Sequence, residues 1–169
     1  MRFGSAHDSG FSADALFETY RDELCAFAPR LSGVRAVRRV SSQEDGDVLE
    51  LAHRWSGDPR ALPGPLRVCV PSWLFAWEDR TRWDRARRVA EWHVTVPSLG
   101  SMVRMEGRHA FTPRGSGCHV EVEGQLHVAL VETFGGEAAN DFVRRLLTDI
   151  LRSSHEVVDA YMAERTQAA

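Results

Sequence analysis

Lysine is missing from this chain: all 21 of its basic residues are arginine. Without a side-chain primary amine it cannot form an aldolase Schiff base or hold pyridoxal phosphate as an aldimine. It also cannot build a P-loop, whose phosphate contact is a lysine. Arginine is no replacement as a general base, because its guanidinium stays protonated at any working pH. Cysteine is scarce. Cys25, Cys69 and Cys118 are widely spaced, odd in number and contain no Cys-x-x-Cys pair, so reduced thiols of a cytoplasmic protein are expected. No apolar run approaches the roughly 20 residues of a membrane span, and Met1–Gly10 lacks the apolar stretch of a secretory signal. Gly-x-Ser-x-Gly, a glycine-rich dinucleotide loop after a strand, and His-Glu-x-x-His are absent too. Neither sign of charge dominates: 24 acidic against 21 basic residues leaves −3, which gives no reason to expect nucleic acid as a partner.

What is present reads as one domain over residues 1–165, with Thr166–Ala169 as a tail; 169 residues suffice for a single sizeable core. Arg2–Ala6 is a weak candidate strand. Ser12 can cap a helix whose Leu16, Phe17 and Tyr20 share a face. A second helical stretch, Arg21–Ala28, stops at Pro29. From Val34 to about Val128 the hydrophobic period becomes two. The expected strands are Val34–Ser41, the stretch after the Asp45-Gly46 turn, Leu66–Val70, Leu74–Trp83, Arg88–Val96, Met102–Thr112 and Cys118–Val128. By alternation, Leu49, Leu51, His53 and Trp55 face one way. So do Phe75, Trp77, Asp79, Thr81 and Trp83, then Ala90, Trp92, Val94 and Val96, then Val103, Met105, Gly107, His109 and Phe111. Val120, Val122, Gly124, Leu126 and Val128 continue this covered face. Successive hairpins predict an antiparallel sheet with one wet face. After Gly135-Gly136 the period turns helical as far as about Arg165, with Phe142, Val143, Leu146, Leu147, Ile150, Ser154, Val157, Val158 and Tyr161 on one stripe.

Several side chains on the covered face carry chemistry. Trp55, Trp77 and Trp92, with Phe75 and Trp83, either fill a core or line a pocket for a ring-shaped or apolar ligand. His53, His109 and Asp79 share that parity; if they converge they can orient a polar group of a ligand or act as a general base. The alternative for each is a hydrogen-bonded core histidine, or an aspartate reaching solvent at a strand end. Arg38 follows Val34 and Ala36 in parity, so an inward guanidinium that selects a carboxylate ligand is one outcome; a position beyond the covered face is the other. His119, Glu121, Glu123 and His127, with Glu91 and His93, are metal-ligand types, but they lie on the wet face, where i, i+2 side chains diverge. No metal and no cofactor are expected. Arg80, Arg82, Arg85, Arg87 and Arg88 crowd the turn at Asp84; such a patch can meet an acidic partner or a phosphate head group, but Asp79, Asp84 and Glu91 interleave with it, which favours surface ion pairs.

A strand, two short helices, a long antiparallel meander and one long final helix: this order resembles the helix-grip fold. Its superfamily, START-like or SRPBCC, includes START lipid-transfer domains, polyketide cyclases and pollen-allergen-like proteins. More narrowly, the chain is similar to the bacterial START-like domain of unknown function 2505. That likeness is carried by Met1-Arg2-Phe3, Phe11 with Ala15-Leu16-Phe17 and Tyr20, Gly33-Val34, Trp77-Glu78 with Trp83, and Val122-Glu123-Gly124. It implies an α+β fold in which a curved antiparallel sheet wraps the C-terminal helix around a cavity. The resulting expectation is non-catalytic binding or carriage of a hydrophobic small molecule or lipid. The residues expected to line the cavity are Arg38, His53, Trp55, Trp77, Asp79, Trp92, Met105, His109 and Tyr161. A cyclase/aromatase-like enzyme using the same cavity is one alternative, and an interaction module with a filled core is another.

Overall fold

In the computed structural model, residues 1–61, 75–128 and 136–168 are described, without the side chains at 61, 136–143 and 146. Strand β1 (Arg2–Ser9) is followed by helices α1 (Ala13–Asp22) and α2 (Leu24–Phe27) and a 3-10 turn at Ala28–Arg30. Then come β2 (Val34–Asp45), β3 (Val48–Gly57), β4 (Ala76–Asp84), β5 (Val89–Thr95), β6 (Val103–Arg114), β7 (Gly117–Val128) and the long helix α3 (Gly136–Ala168). All neighbouring strands are antiparallel, in the order β1-β7-β6-β5-β4-β3-β2. This is the helix-grip arrangement that the order of elements predicted.

Local chemistry sets the boundaries. The Ser12 side chain accepts from the Ala15 amide at 3.3 Å and starts α1. Asp45 pairs with Val48 across a two-residue turn in which Gly46 adopts φ 57°, a conformation glycine enters without a Cβ penalty. α3 runs 33 residues, about 50 Å at 1.5 Å per residue. Its last turn takes in Thr166–Ala168, expected from the sequence as tail; Thr166 Oγ1 donates to the Met162 carbonyl at 3.0 Å. The expected strand Leu66–Val70 lies outside the described residues, as do the side chains of Phe142, Val143 and Leu146.

The core sits where α1 and the C-terminal half of α3 press on the concave face. Leu16, Phe17 and Tyr20 of α1 are buried with Trp83, Phe111, Val120 and Val122 of the sheet and Val158 and Met162 of α3. Phe17 meets Trp83 and Phe111 edge-on, with centroids 5.2 and 5.6 Å apart. Burying each such side chain contributes roughly 1.5–3 kcal/mol, so this cluster fixes both helices on the sheet.

One expectation of facing is corrected in β2. The register slips between Val34 and Ala36 and again between Arg39 and Ser41. An extra residue in one strand shifts the phase of everything after it. Val37 therefore turns inward and is buried, while Arg38 is exposed opposite Arg54 on the outer face. The inward guanidinium is Arg39's: it pairs in register with His53, and its Nη2 donates to the Asp22 carbonyl at the end of α1, 3.2 Å away.

Candidate functional site

The strand register lays out the concave face in rows. Leu51, Thr81, Trp92, Gly107, Gly124 and Phe3 form one row across six strands. A Cβ on Gly107 would overlap the Trp92 indole, and one on Gly124 would overlap the Phe3 ring. The two glycines thus let both rings lie flat on the sheet, 6.3 Å apart. On the α1 side of this row the face is filled. On the other side Trp55, Trp77, Val94, Met105 and Leu126 are only half-buried, as is Trp92 itself. Trp55 and Trp77 are cross-strand partners and stack, with centroids 5.7 Å apart and planes 16° from parallel.

Within this half-open stretch lies a buried polar group. Asp79 is 7% exposed and His53 1%. Asp79 Oδ1 accepts from Trp55 Nε1 at 3.1 Å, and Oδ2 accepts from the Thr81 hydroxyl at 3.0 Å. His53 Nδ1 faces Oδ1 at 3.3 Å, within ion-pair distance but not aligned as a hydrogen bond. His53 Nε2 and Trp92 Nε1 are enclosed and have no hydrogen-bond partner among the described residues. Trp83 Nε1 shares that state, but it lies in the filled half.

A second polar cluster joins β1, α1 and α3. His155, 2% exposed, meets the Tyr20 hydroxyl through Nδ1 at 3.0 Å and the Ser5 hydroxyl through Nε2 at 3.1 Å. His7 Nε2 lies 2.9 Å from Asp159 Oδ2, and the Ser9 hydroxyl donates to Oδ1 at 2.7 Å. Burial pushes His155 down to about 4, helped by His7 and opposed by Asp159. Burial and the adjacent His155 push His109 down to about 3. Both rings are therefore neutral at pH 7 and can act only as neutral hydrogen-bonding groups. Tyr20 is raised by burial, so it keeps its proton, and burial holds the Cys118 thiol up at about 11.

The structure gathers some of the expected site residues and separates others. Trp55, Trp77, Asp79 and His53 form one group, with Trp92 and Met105 beside it. His109 stands on the filled side, its ring 5.8, 6.2 and 6.3 Å from those of Tyr20, Trp92 and Phe111. Tyr161 packs elsewhere: its hydroxyl donates to Glu23 at 2.6 Å, and the guanidinium of Arg30 lies 5.1 Å from its ring centroid. Arg38 is on the outer face. Sequence reasoning missed Tyr20, His155 and Asp159 as polar groups. Their signal was a His and an Asp at i, i+4 on the inner stripe of α3, opposite Ser5, His7 and Ser9 at period two on β1.

On the wet face His119 and Arg114 both contact Asp8, while His93 and His127 flank Glu106 at 3.6 and 3.7 Å. Among the described residues no group of three or more His, Cys, Asp or Glu side chains is arranged to hold a metal ion. Of the arginines around Asp84, Arg87 pairs with Asp84 itself and Arg88 with Asp14.

Solved structures share this architecture at low sequence identity. The protein TTHA0849 from Thermus thermophilus is 15% identical, superposes with a TM-score of 0.70 and is matched over 95% of both chains. The Zhui aromatase/cyclase from Streptomyces sp. R1128 is 14% identical, also with a TM-score of 0.70, over 98% of this chain and 95% of its own. A START superfamily protein from Mycobacterium smegmatis is 13% identical with a TM-score of 0.63, over 96% and 97%. Likeness at this level shows a shared START-like fold. No curated protein sequence matches the chain. A family model described as "Protein of unknown function (DUF2505)" matches residues 6–162, and the chain belongs to that family.

Proposed function

We propose that the protein binds and carries a hydrophobic, ring-bearing small molecule or lipid on the concave face of its sheet, beside α3, without turning it over. The observation that carries this reading is the half-exposure of Trp55, Trp77, Trp92 and Met105 on the face that the fold covers. A domain with a filled core seals side chains of this size, because interiors pack as densely as organic crystals. Large rings left accessible on an inner face leave room for an apolar partner. No helix among the described residues is long and apolar enough to cross a membrane. We place the protein in the cytoplasm, a reading supported by the free thiols of Cys25 and Cys118.

A second reading, turnover of the bound molecule as in an aromatase/cyclase, draws on the His53–Asp79 pair, since a carboxylate facing an imidazole is a general-base arrangement. Native mass spectrometry after mild purification tests the first reading: a non-covalent adduct is expected, together with saturable binding of the neutral naphthalene dye prodan. An adduct-free protein that binds no prodan overturns it. The second reading requires the adduct to change mass on incubation with wild-type protein and to stay unchanged with Asp79→Asn.

A further inference from the structure

Among the described residues the half-open stretch holds two side chains with an enclosed, unpartnered polar atom, Trp92 and His53; an indole nitrogen only donates, so of the two only the imidazole can accept a hydrogen bond. His53 is enclosed, yet its Nε2 has no partner among the described residues. Its other nitrogen faces Asp79 Oδ1 at 3.3 Å. Asp79 is itself held from two sides, by the Trp55 indole at 3.1 Å and the Thr81 hydroxyl at 3.0 Å, so its carboxylate cannot turn away from the ring. A carboxylate accepts and does not donate, so the tautomer this neighbour favours carries its proton on the Nδ1 that faces it, and in that tautomer Nε2 is an acceptor. An enclosed acceptor without a donor costs about 1–3 kcal/mol. Among the described residues neither arginine of β2 next to this stretch is placed to anchor an anionic ligand: Arg38 is on the outer face, and Arg39 donates to the Asp22 carbonyl at the end of α1.

We propose that His53, oriented by Asp79, is the specificity-determining residue of this site: its Nε2 accepts a hydrogen bond from a hydroxyl on an uncharged ring, so the preferred ligand is a phenol-like compound. This rests on the ligand-binding reading above. Trp55 serves twice. Its ring stacks on Trp77 as part of the apolar wall, and its Nε1–H pins the carboxylate that sets the histidine tautomer.

The test compares naphthalene, 2-naphthol and 2-methoxynaphthalene as competitors of prodan on the full chain at pH 7.5. Naphthol should bind at least tenfold more tightly than naphthalene, a difference of about 1.4 kcal/mol, and methoxynaphthalene, which lacks the donor, should bind no better than naphthalene. His53→Phe should abolish the naphthol preference, read as the ratio of the naphthol and naphthalene affinities so that any change common to both compounds cancels. Asp79→Asn should reduce the preference, because an amide can donate to Nδ1 and move the ring proton to Nε2. Equal affinity of wild-type protein for naphthol and naphthalene overturns the inference alone, and that comparison needs no variant to fold. Failure of all three compounds and of prodan to bind overturns the ligand reading as well.

Discussion

The imidazole of His155 lies flat on that of His7, with centroids 5.3 Å apart and planes 3° from parallel. Each ring is held at its edge: His155 by Tyr20 and Ser5, His7 by Asp159. The stack joins the edge strand β1 to the long helix α3, so any charge placed on it acts on the docking of that helix.

Acid should therefore loosen the protein earlier than its carboxylates alone would require. His155 is held at about 4 and His109 at about 3, both below the ordinary 6.5. With the folded value depressed, the unfolded chain takes up these protons first as pH falls. The corresponding stability is complete above about pH 6.5 and is lost between there and about 4 for His155 and about 3 for His109. For His155 the loss at the acid end is on the order of 3 kcal/mol. Melting temperatures measured from pH 8 to 4 should begin to fall near 6.5, and His155→Gln should flatten that fall. An unchanged slope in the variant would assign the acid sensitivity to other groups.

Asp159 is the acceptor on which the β1 side of the cluster converges, taking bonds from His7 and Ser9. Removing it leaves two buried or half-buried polar groups without their partner. Asp159→Ala should cost about 2 kcal/mol in urea unfolding, while Asp159→Asn, which keeps one acceptor oxygen, should cost less. The ordering of the two variants separates loss of hydrogen bonding from loss of charge, since both remove the charge.

The concave face was legible in the sequence because alternation has a fixed period: Leu51 and His53, Asp79 and Thr81, and Trp83 all point inward as parity requires. Arg38 was not legible. A bulge inserts one residue at no cost in composition, and nothing in Val34-Arg35-Ala36-Val37 announces it. Tyr161 lies on the expected helical stripe, yet a 33-residue helix passes several environments along one face, and at Tyr161 the neighbour is Glu23 rather than the half-open stretch. The His155 cluster joins β1 and α1 to α3, with hydrogen-bonded pairs 135 to 152 residues apart. Such a meeting follows from tertiary packing: the i, i+4 pair on α3 and the period-two polar residues of β1 are each visible in the sequence, but nothing local says that they face each other.

The glycines beneath the aromatic row give a packing prediction. The three atoms nearest a Cβ on Gly124 all belong to the ring of Phe3, which can tilt; on Gly107 it would meet both the Trp92 indole and the backbone oxygen of Glu123, which cannot. Overpacking costs typically about 1–3 kcal/mol. Gly107→Ala should therefore destabilise more than Gly124→Ala, and it should also shift the tryptophan emission, because Trp92 must leave its place on the sheet. Equal loss from both variants would mean that the sheet yields as easily as a side chain.

Ligand binding should respond to Trp77 and ignore Arg38. Trp77 is half-buried against Trp55, and Trp77→Ala removes one of the two rings that form the apolar wall. Stacked aromatic pairs add about 0.5–1.5 kcal/mol beyond the area they bury, so loss of the ring face offered to the ligand should weaken prodan binding up to about tenfold, and loss of the stack on Trp55 should lower the melting temperature by a few degrees. Arg38 is exposed on the far side of β2, beside Arg54, whose guanidinium is already paired with Glu78. Arg38→Ala should leave affinity unchanged for prodan and equally for 1-naphthoic acid, the carboxylate analogue that an inward arginine would have selected. A specific loss of naphthoic acid binding in Arg38→Ala would return that guanidinium to the concave side and contradict the bulge at Arg35.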